Sequence, residues 1–201
     1  MEEKNGSKAG KAIAILFGVM FAGLLVYAVV ALSNKERAAA GETETAKEQY
    51  YDDHGLSFTY PADYVITNDE EENGLVDILC EVKGSDLSQI EITCTSSEDL
   101  VSLSDFEKGV VSRASLNAMK DELRGNILYQ NCEFETITRG MLGDLDCYKM
   151  DFHVTILSVT AYGVAKIHLN NEGQMLLTVM VYENEEYKNA LESIEQSIEL
   201  Q

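Results

Sequence analysis

The sequence lacks the signatures of several common chemistries. It has no Cys-x-x-Cys pair, no Walker phosphate loop and no Gly-x-Gly-x-x-Gly run, so zinc knuckles, thioredoxin-type redox sites and nucleotide-cradling loops are not signalled. Gly55-Leu56-Ser57-Phe58 starts like a hydrolase nucleophile elbow but has no closing glycine and falls in a strand-like stretch. Histidine is scarce, with three residues in all, and Cys147 and His153 lie six positions apart on one extended run, ~20 Å from each other. Basic residues are also few. From Gly41 onward ten Lys or Arg face 32 Asp or Glu, a net of −22. Such a field repels phosphate backbones and anionic lipid head groups, so nucleic acid is not an expected partner.

What is present begins with Ala12–Leu32, 21 residues without a charge. At a helical rise of ~1.5 Å per residue this stretch reaches ~31 Å, the thickness of a bilayer's hydrocarbon core, and a single transmembrane helix is expected there. Ala14, Gly18 and Ala22 place small residues on one face of it, where a second helix can approach or lipid can pack. Residues 1–11 carry Lys4, Lys8 and Lys11, and the other flank carries Lys35 and Arg37. The resulting bias toward a cytoplasmic N-terminus is slight. Ala38-Ala39-Ala40 resembles a cleavage site, but Lys35–Arg37 intervene and the apolar run is long, so an uncleaved anchor is preferred. Residues 33–48 have no large apolar side chain and are expected to form a flexible linker. Residues 49–201 are then one acidic domain of ordinary size.

Extended, largely alternating runs predict strands at Leu56–Tyr60, Tyr64–Thr67, Leu75–Lys83, Gln89–Ser96, Ile127–Arg139, Leu145–Ile156 and Val159–Leu169, and Gln174–Tyr182, apolar on both faces, predicts a central strand. Asn68–Gly74 is expected as a turn. A helix follows the capping box of Ser104 and Glu107, with Phe106, Val110, Met119 and Leu123 assigned to its buried face, and ends at Gly125-Asn126. Asn184 caps a second helix whose buried stripe is Tyr187, Leu191, Ile194 and Ile198. Strands joined by hairpin-length connections, with two interspersed helices, predict an α+β architecture of helices packed on an antiparallel sheet.

Two groups of residues are candidates for sites. Asp52, Asp53 and His54, and the crowded Asp69, Glu70, Glu71 and Glu72, offer hard ligands for weak binding of Ca²⁺ or Mn²⁺, although neither has EF-hand spacing and a solvated acidic turn accounts for both. No other cofactor is implied. Four cysteines, Cys80, Cys94, Cys132 and Cys147, permit two disulfides outside the cytoplasm. Cys80 with Cys94 is the preferred pair and Cys132 with Cys147 the second; four reduced thiols in the core are the alternative.

The run Gly55-Leu56-Ser57-Phe58-Thr59-Tyr60-Pro61-Ala62-Asp63-Tyr64 resembles the opening signature of PsbP-like domains, with Tyr64 where those domains usually carry Trp. Gly143-Asp144-Leu145-Asp146-Cys147-Tyr148 stands in the place of a Gly-x-x-Ala-Tyr-like strand start, and the order of elements over residues 50–200 follows the family. The resemblance implies an α/β/α sandwich with a central antiparallel sheet. It also implies a binding or assembly module rather than an enzyme, as in anchored extracytoplasmic bacterial members. The expectation is therefore a single-pass membrane protein of the cell envelope, held in the lipid bilayer by residues 12–32, whose domain lies outside the cytoplasm and meets a protein partner there. An envelope hydrolase with a spatially assembled site, or a carrier of an apolar ligand, are the alternatives.

Overall fold

Paired positive backbone angles at His54–Gly55 (φ 52° and 73°) and Asn73–Gly74 (φ 55° and 77°) close two tight hairpins. The first joins β1 (Gln49–Asp53) to β2 (Leu56–Tyr60), and the second joins β3 (Tyr64–Glu72) to β4 (Leu75–Val82). The computed structural model describes residues 48–85, 87–125, 129–156 and 159–201. The expected span Ala12–Leu32, its small residues Ala14, Gly18 and Ala22, and most of the linker lie outside the described residues. Among the described residues, no helix is long and apolar enough to cross a membrane.

After β4 come β5 (Gln89–Ser96), the short helix α1 (Glu98–Val101), the long helix α2 (Asp105–Gly125), β6 (Tyr129–Phe134), β7 (Thr138–Leu142), β8 (Leu145–Ile156), β9 (Val159–Leu169), β10 (Gln174–Tyr182), α3 (Glu185–Gln196) and β11 (Glu199–Leu200). The main sheet is antiparallel, in the order β3-β4-β5-β10-β9-β8-β6, with β7 also on β8. A smaller sheet has the order β1-β2-β11. The α+β fold with antiparallel sheets read from the sequence is the one observed.

The period-2 alternation of the strands builds two cores, one on each face of the main sheet. On one face, Leu116, Met119 and Leu123 of α2 pack on Met150, Phe152, Ala165 and Ile167. On the other, Leu191, Ile194 and Ile198 of the α3 segment and Leu56 and Phe58 of the small sheet pack on Ile78, Ile90, Ile92 and Met180. β10 lies between β5 and β9 and is buried on both faces, as its continuous apolar run predicts. Both predicted caps form: Ser104 and Glu107 bond reciprocally, and Asn184 accepts from the Tyr187 amide.

Three expectations are corrected. β3 does not stop at Thr67; a register shift between Ile66 and Asn68 lets it continue to Glu72, and only Asn73–Gly74 turns. β3 is an edge strand, so its consecutive acids stay solvated while extended. The run Ile127–Arg139 is two strands, β6 and β7, laid end to end along the one long partner β8. The face assigned to α2 is also wrong in part. Met119 and Leu123 are buried, but Phe106 is 81% and Val110 51% exposed, and the inward positions include Val111, Ser112, Ser115 and Leu116. Small serines meet the sheet there, with their hydroxyls bonded to Lys108 and Val111 carbonyls one turn back.

Candidate binding surface

The exposed face of α2 carries the most distinctive surface chemistry of the domain. Phe106, Val110, Arg113, Asn117, Lys120 and Arg124 follow one another at steps of four and three residues, which aligns them along one side of a helix. Asp105, Glu107 and Glu122 fall on other sides, with Asp121 at the margin of the stripe. Beside it, β8 and β6 supply two aromatic rings. Two guanidinium groups lie over the Tyr148 ring, Arg113 at 4.9 Å and Arg139 of β7 at 4.8 Å from its centroid. Phe134 carries Arg124 at 5.1 Å and Lys120 at 5.7 Å, and itself stacks on Phe152.

The backbone is shaped for this arrangement. Gly109 sits in mid-helix, where glycine costs about 1 kcal/mol relative to alanine. A Cβ there would lie 2.7 Å from the Tyr148 hydroxyl oxygen, so the glycine makes room for the ring between the helix and the sheet. Arg139 is opposite Tyr148 in the β7–β8 ladder, which fixes the second guanidinium over the same ring.

The cations of this surface differ from the rest. Among the described residues there are nine Lys or Arg. Lys149, Lys166 and Lys188 pair with Asp151, Glu195 and Glu185, Lys108 donates to Asn171, and Lys83 donates to the Ala62 carbonyl. Arg113, Lys120, Arg124 and Arg139 make no ion pair among the described residues and rest on aromatic faces instead. Cation–π contact of this kind contributes about 0.5–1 kcal/mol at an exposed site and leaves the charge open to an outside anion.

The residues singled out from the sequence are placed differently. Asp69 and Glu71 are brought to His54, whose Nδ1 lies 2.9 Å from Glu71 Oε2 and whose Nε2 lies 3.4 Å from Asp69 Oδ1. Tyr51 donates to the same Asp69 carboxylate at 2.9 Å. The histidine, at the β1–β2 turn, therefore meets two carboxylates of β3, one on each ring nitrogen. Asp52 accepts from the Gln201 amide, and Asp53 lies 3.9 Å from His54 Nδ1. Glu70 and Glu72 project from β3 into solvent. Among the described residues no group of three or more His, Cys, Asp or Glu is arranged to hold a metal ion.

Neither expected cysteine pair is formed, and all four thiols are free. The β4–β5 ladder sets Cys80 opposite Ile90 and Cys94 opposite Val76, four residues apart along the strands. Cys147 belongs to the core under α3 and Cys132 packs on the core under α2. Burial pushes the Cys80 thiol up to about 12 and those of Cys94 and Cys147 up to about 11.

A buried carboxyl pair was also missed. Asp77 and Glu91 lie on the α2 side of β4 and β5, 6% and 4% exposed. Asn68 Nδ2 donates to Asp77 Oδ2 at 2.9 Å and the Thr93 hydroxyl approaches Asp77 Oδ1 at 3.4 Å. Burial, reinforced by the Asp77 carboxylate and a hydrogen bond to it, raises the Glu91 carboxyl well above its ordinary value. Burial raises Asp77 as well, against the pull of hydrogen bonds from Asn68, Thr93 and Glu91. A proton shared between the two acids accounts for both directions. In the sequence, Glu91 looks like the solvated face of an alternating strand; nothing local marks it as buried.

No protein-family model matches the chain, and no curated protein matches it. Solved structures do. The solution structure of cyanobacterial PsbP (CyanoP) from Synechocystis sp. is similar with a TM-score of 0.55 at 14% identity, covering 82% of this chain and 99% of that one. A Bacteroides thetaiotaomicron protein aligns with a TM-score of 0.45 at 12% identity over 73% of this chain and 45% of its own. LpqN, a Mycobacterium tuberculosis protein involved in cell envelope biogenesis, aligns with a TM-score of 0.45 at 10% identity over 79% of this chain and 92% of its own. The fold is thus PsbP-like, as the run Gly55–Tyr64 suggested.

Proposed function

We propose that this protein is a single-pass, membrane-anchored binding module that presents its PsbP-like domain outside the cytoplasm and acts by docking a partner rather than by catalysis. The observation that carries the reading is the α2 surface: four cations that make no ion pair among the described residues, seated on Tyr148 and Phe134, in a domain whose other described cations are all engaged. A helix face that is apolar at one end, cationic along its length and braced by aromatic rings has the composition of an interaction surface, in which Arg and Tyr supply much of the binding energy. The uncharged run Ala12–Leu32 and the polar linker after it support the anchored placement.

Protease shaving of intact cells tests the placement. The domain is expected to be degraded while residues 12–32 stay with the membrane; complete protection of the domain would overturn it.

A further inference from the structure

We infer that the occupant of the α2 surface is an acidic protein segment carrying an apolar side chain, recognised through carboxylates by Arg113, Arg124 and Arg139 and anchored at Phe106 and Val110. This rests on the binding-module reading and names the chemistry of its partner.

Charge complementarity selects the anion. Arg113 and Arg139 both rest on the Tyr148 ring, 4.9 and 4.8 Å from its centroid, so the aromatic contact restrains both guanidinium forks before anything binds. A planar fork with a fixed orientation suits bidentate carboxylate recognition and loses little freedom on binding. Arg124 and Lys120 extend the row over Phe134, and none of the four makes an ion pair with a carboxylate of the described residues. Phe106 stands 81% exposed at the start of the same stripe, with Val110 next to it. An apolar anchor at one end and cations along the rest set a polarity for the segment that lies on it.

A membrane surface fits less well. Only the first turn of the stripe is apolar, too little to hold a helix in a lipid interface, and the remaining positions are Arg113, Asn117, Lys120 and Arg124. The domain as a whole carries a large negative charge that an anionic leaflet repels. Screening at physiological salt confines electrostatics to about 8 Å, which favours short, directed pairs between side chains.

The test uses the full chain in its own membranes, with p-benzoylphenylalanine replacing Phe106 as a photo-crosslinker and the captured peptide sequenced by mass spectrometry. The expected adduct is a protein segment in which Asp and Glu outnumber Lys and Arg, reduced at least tenfold in Arg113→Glu/Arg124→Glu and unchanged in Lys83→Glu. Thermal melts of the three variants confirm that each remains folded. An adduct with lipid, with a second copy or with a segment lacking excess acid, no adduct at all, or an adduct that survives the double charge reversal would each overturn the inference. Protease shaving of the same cells separates this result from a failure of the anchored placement, because a wrongly placed domain is protected whatever it crosslinks.

Discussion

Lys166 of β9 and Glu195 of α3 form an ion pair beneath the helix, where Glu195 is 1% exposed and also accepts from the Thr178 hydroxyl at 2.7 Å. The pair sits beside the apolar contacts that seat α3 on the sheet. Removing one member strands the other as a buried charge, which costs about 3–5 kcal/mol. Lys166→Met is therefore expected to lower the urea midpoint sharply, while Lys166→Met/Glu195→Leu recovers most of the loss. Equal destabilisation by the single and double replacements would contradict this account.

The Asp77–Glu91 pair makes stability depend on pH in a defined direction. Both carboxyls are raised on folding, so the folded state binds protons more tightly than the unfolded chain. Stability from this pair is fully present below the ordinary carboxyl range near 4 and falls as pH rises through that range toward the raised folded values. Glu91→Gln removes the buried charge and is expected to stabilise the protein by about 1–3 kcal/mol at pH 8 and to change little at pH 4. Thermal melts across pH 4–8 read this out, and a variant whose pH profile matches the parent would refute it.

Gly163 of β9 faces Phe152 of β8 across the ladder, and a Cβ at that position would overlap the phenylalanine ring. Gly163→Ala is expected to cost about 1–3 kcal/mol through overpacking. Phe152→Leu in the same background should return part of it, which a double-mutant cycle by chemical denaturation measures.

The thiols are expected to be sluggish. Burial holds Cys80, Cys94 and Cys147 in the protonated form at neutral pH, whereas Cys132 is less enclosed and its upward displacement is opposed by Arg124. A thiol reagent applied to native protein at pH 8 should label Cys132 first, the half-buried Cys94 more slowly, and Cys80 and Cys147 only at the rate of unfolding, as followed by mass spectrometry.

Much of the fold was legible in the sequence. Strands β4, β5, β8 and β9 follow from extended, alternating runs, β10 from a continuous apolar one and helix α3 from its cap and apolar stripe, and the signature Gly55–Tyr64 pointed to the right fold. What was lost shows where local pattern stops. β1 was missed because His54–Gly55 does not look like the Asn-Gly pair that announces a hairpin, although it adopts the same positive angles. Phe106 and Val110 were placed inside because apolar spacing along α2 allows two stripes, and only the sheet decides which one it covers. The candidate surface joins α2 to β6, β7 and β8, and its rings and cations are distant in sequence. No local spacing reports that Arg113 and Arg139 share one tyrosine. Asp77 and Glu91 were hidden for a related reason, since strand alternation separates two faces without saying whether the second meets water.

The two ends of the main sheet have a consequence for crowding. Along β3 the exposed backbone edge is guarded by Asp69, Glu70, Glu71 and Glu72, and at the far end β6 and β7 replace one long edge with two short ones of 6 and 5 residues. Neither end offers an incoming strand a flat, uncharged template to extend. Many copies can therefore be packed side by side without joining their sheets, so chain-to-chain fusion is suppressed by the same acids that first looked like a turn.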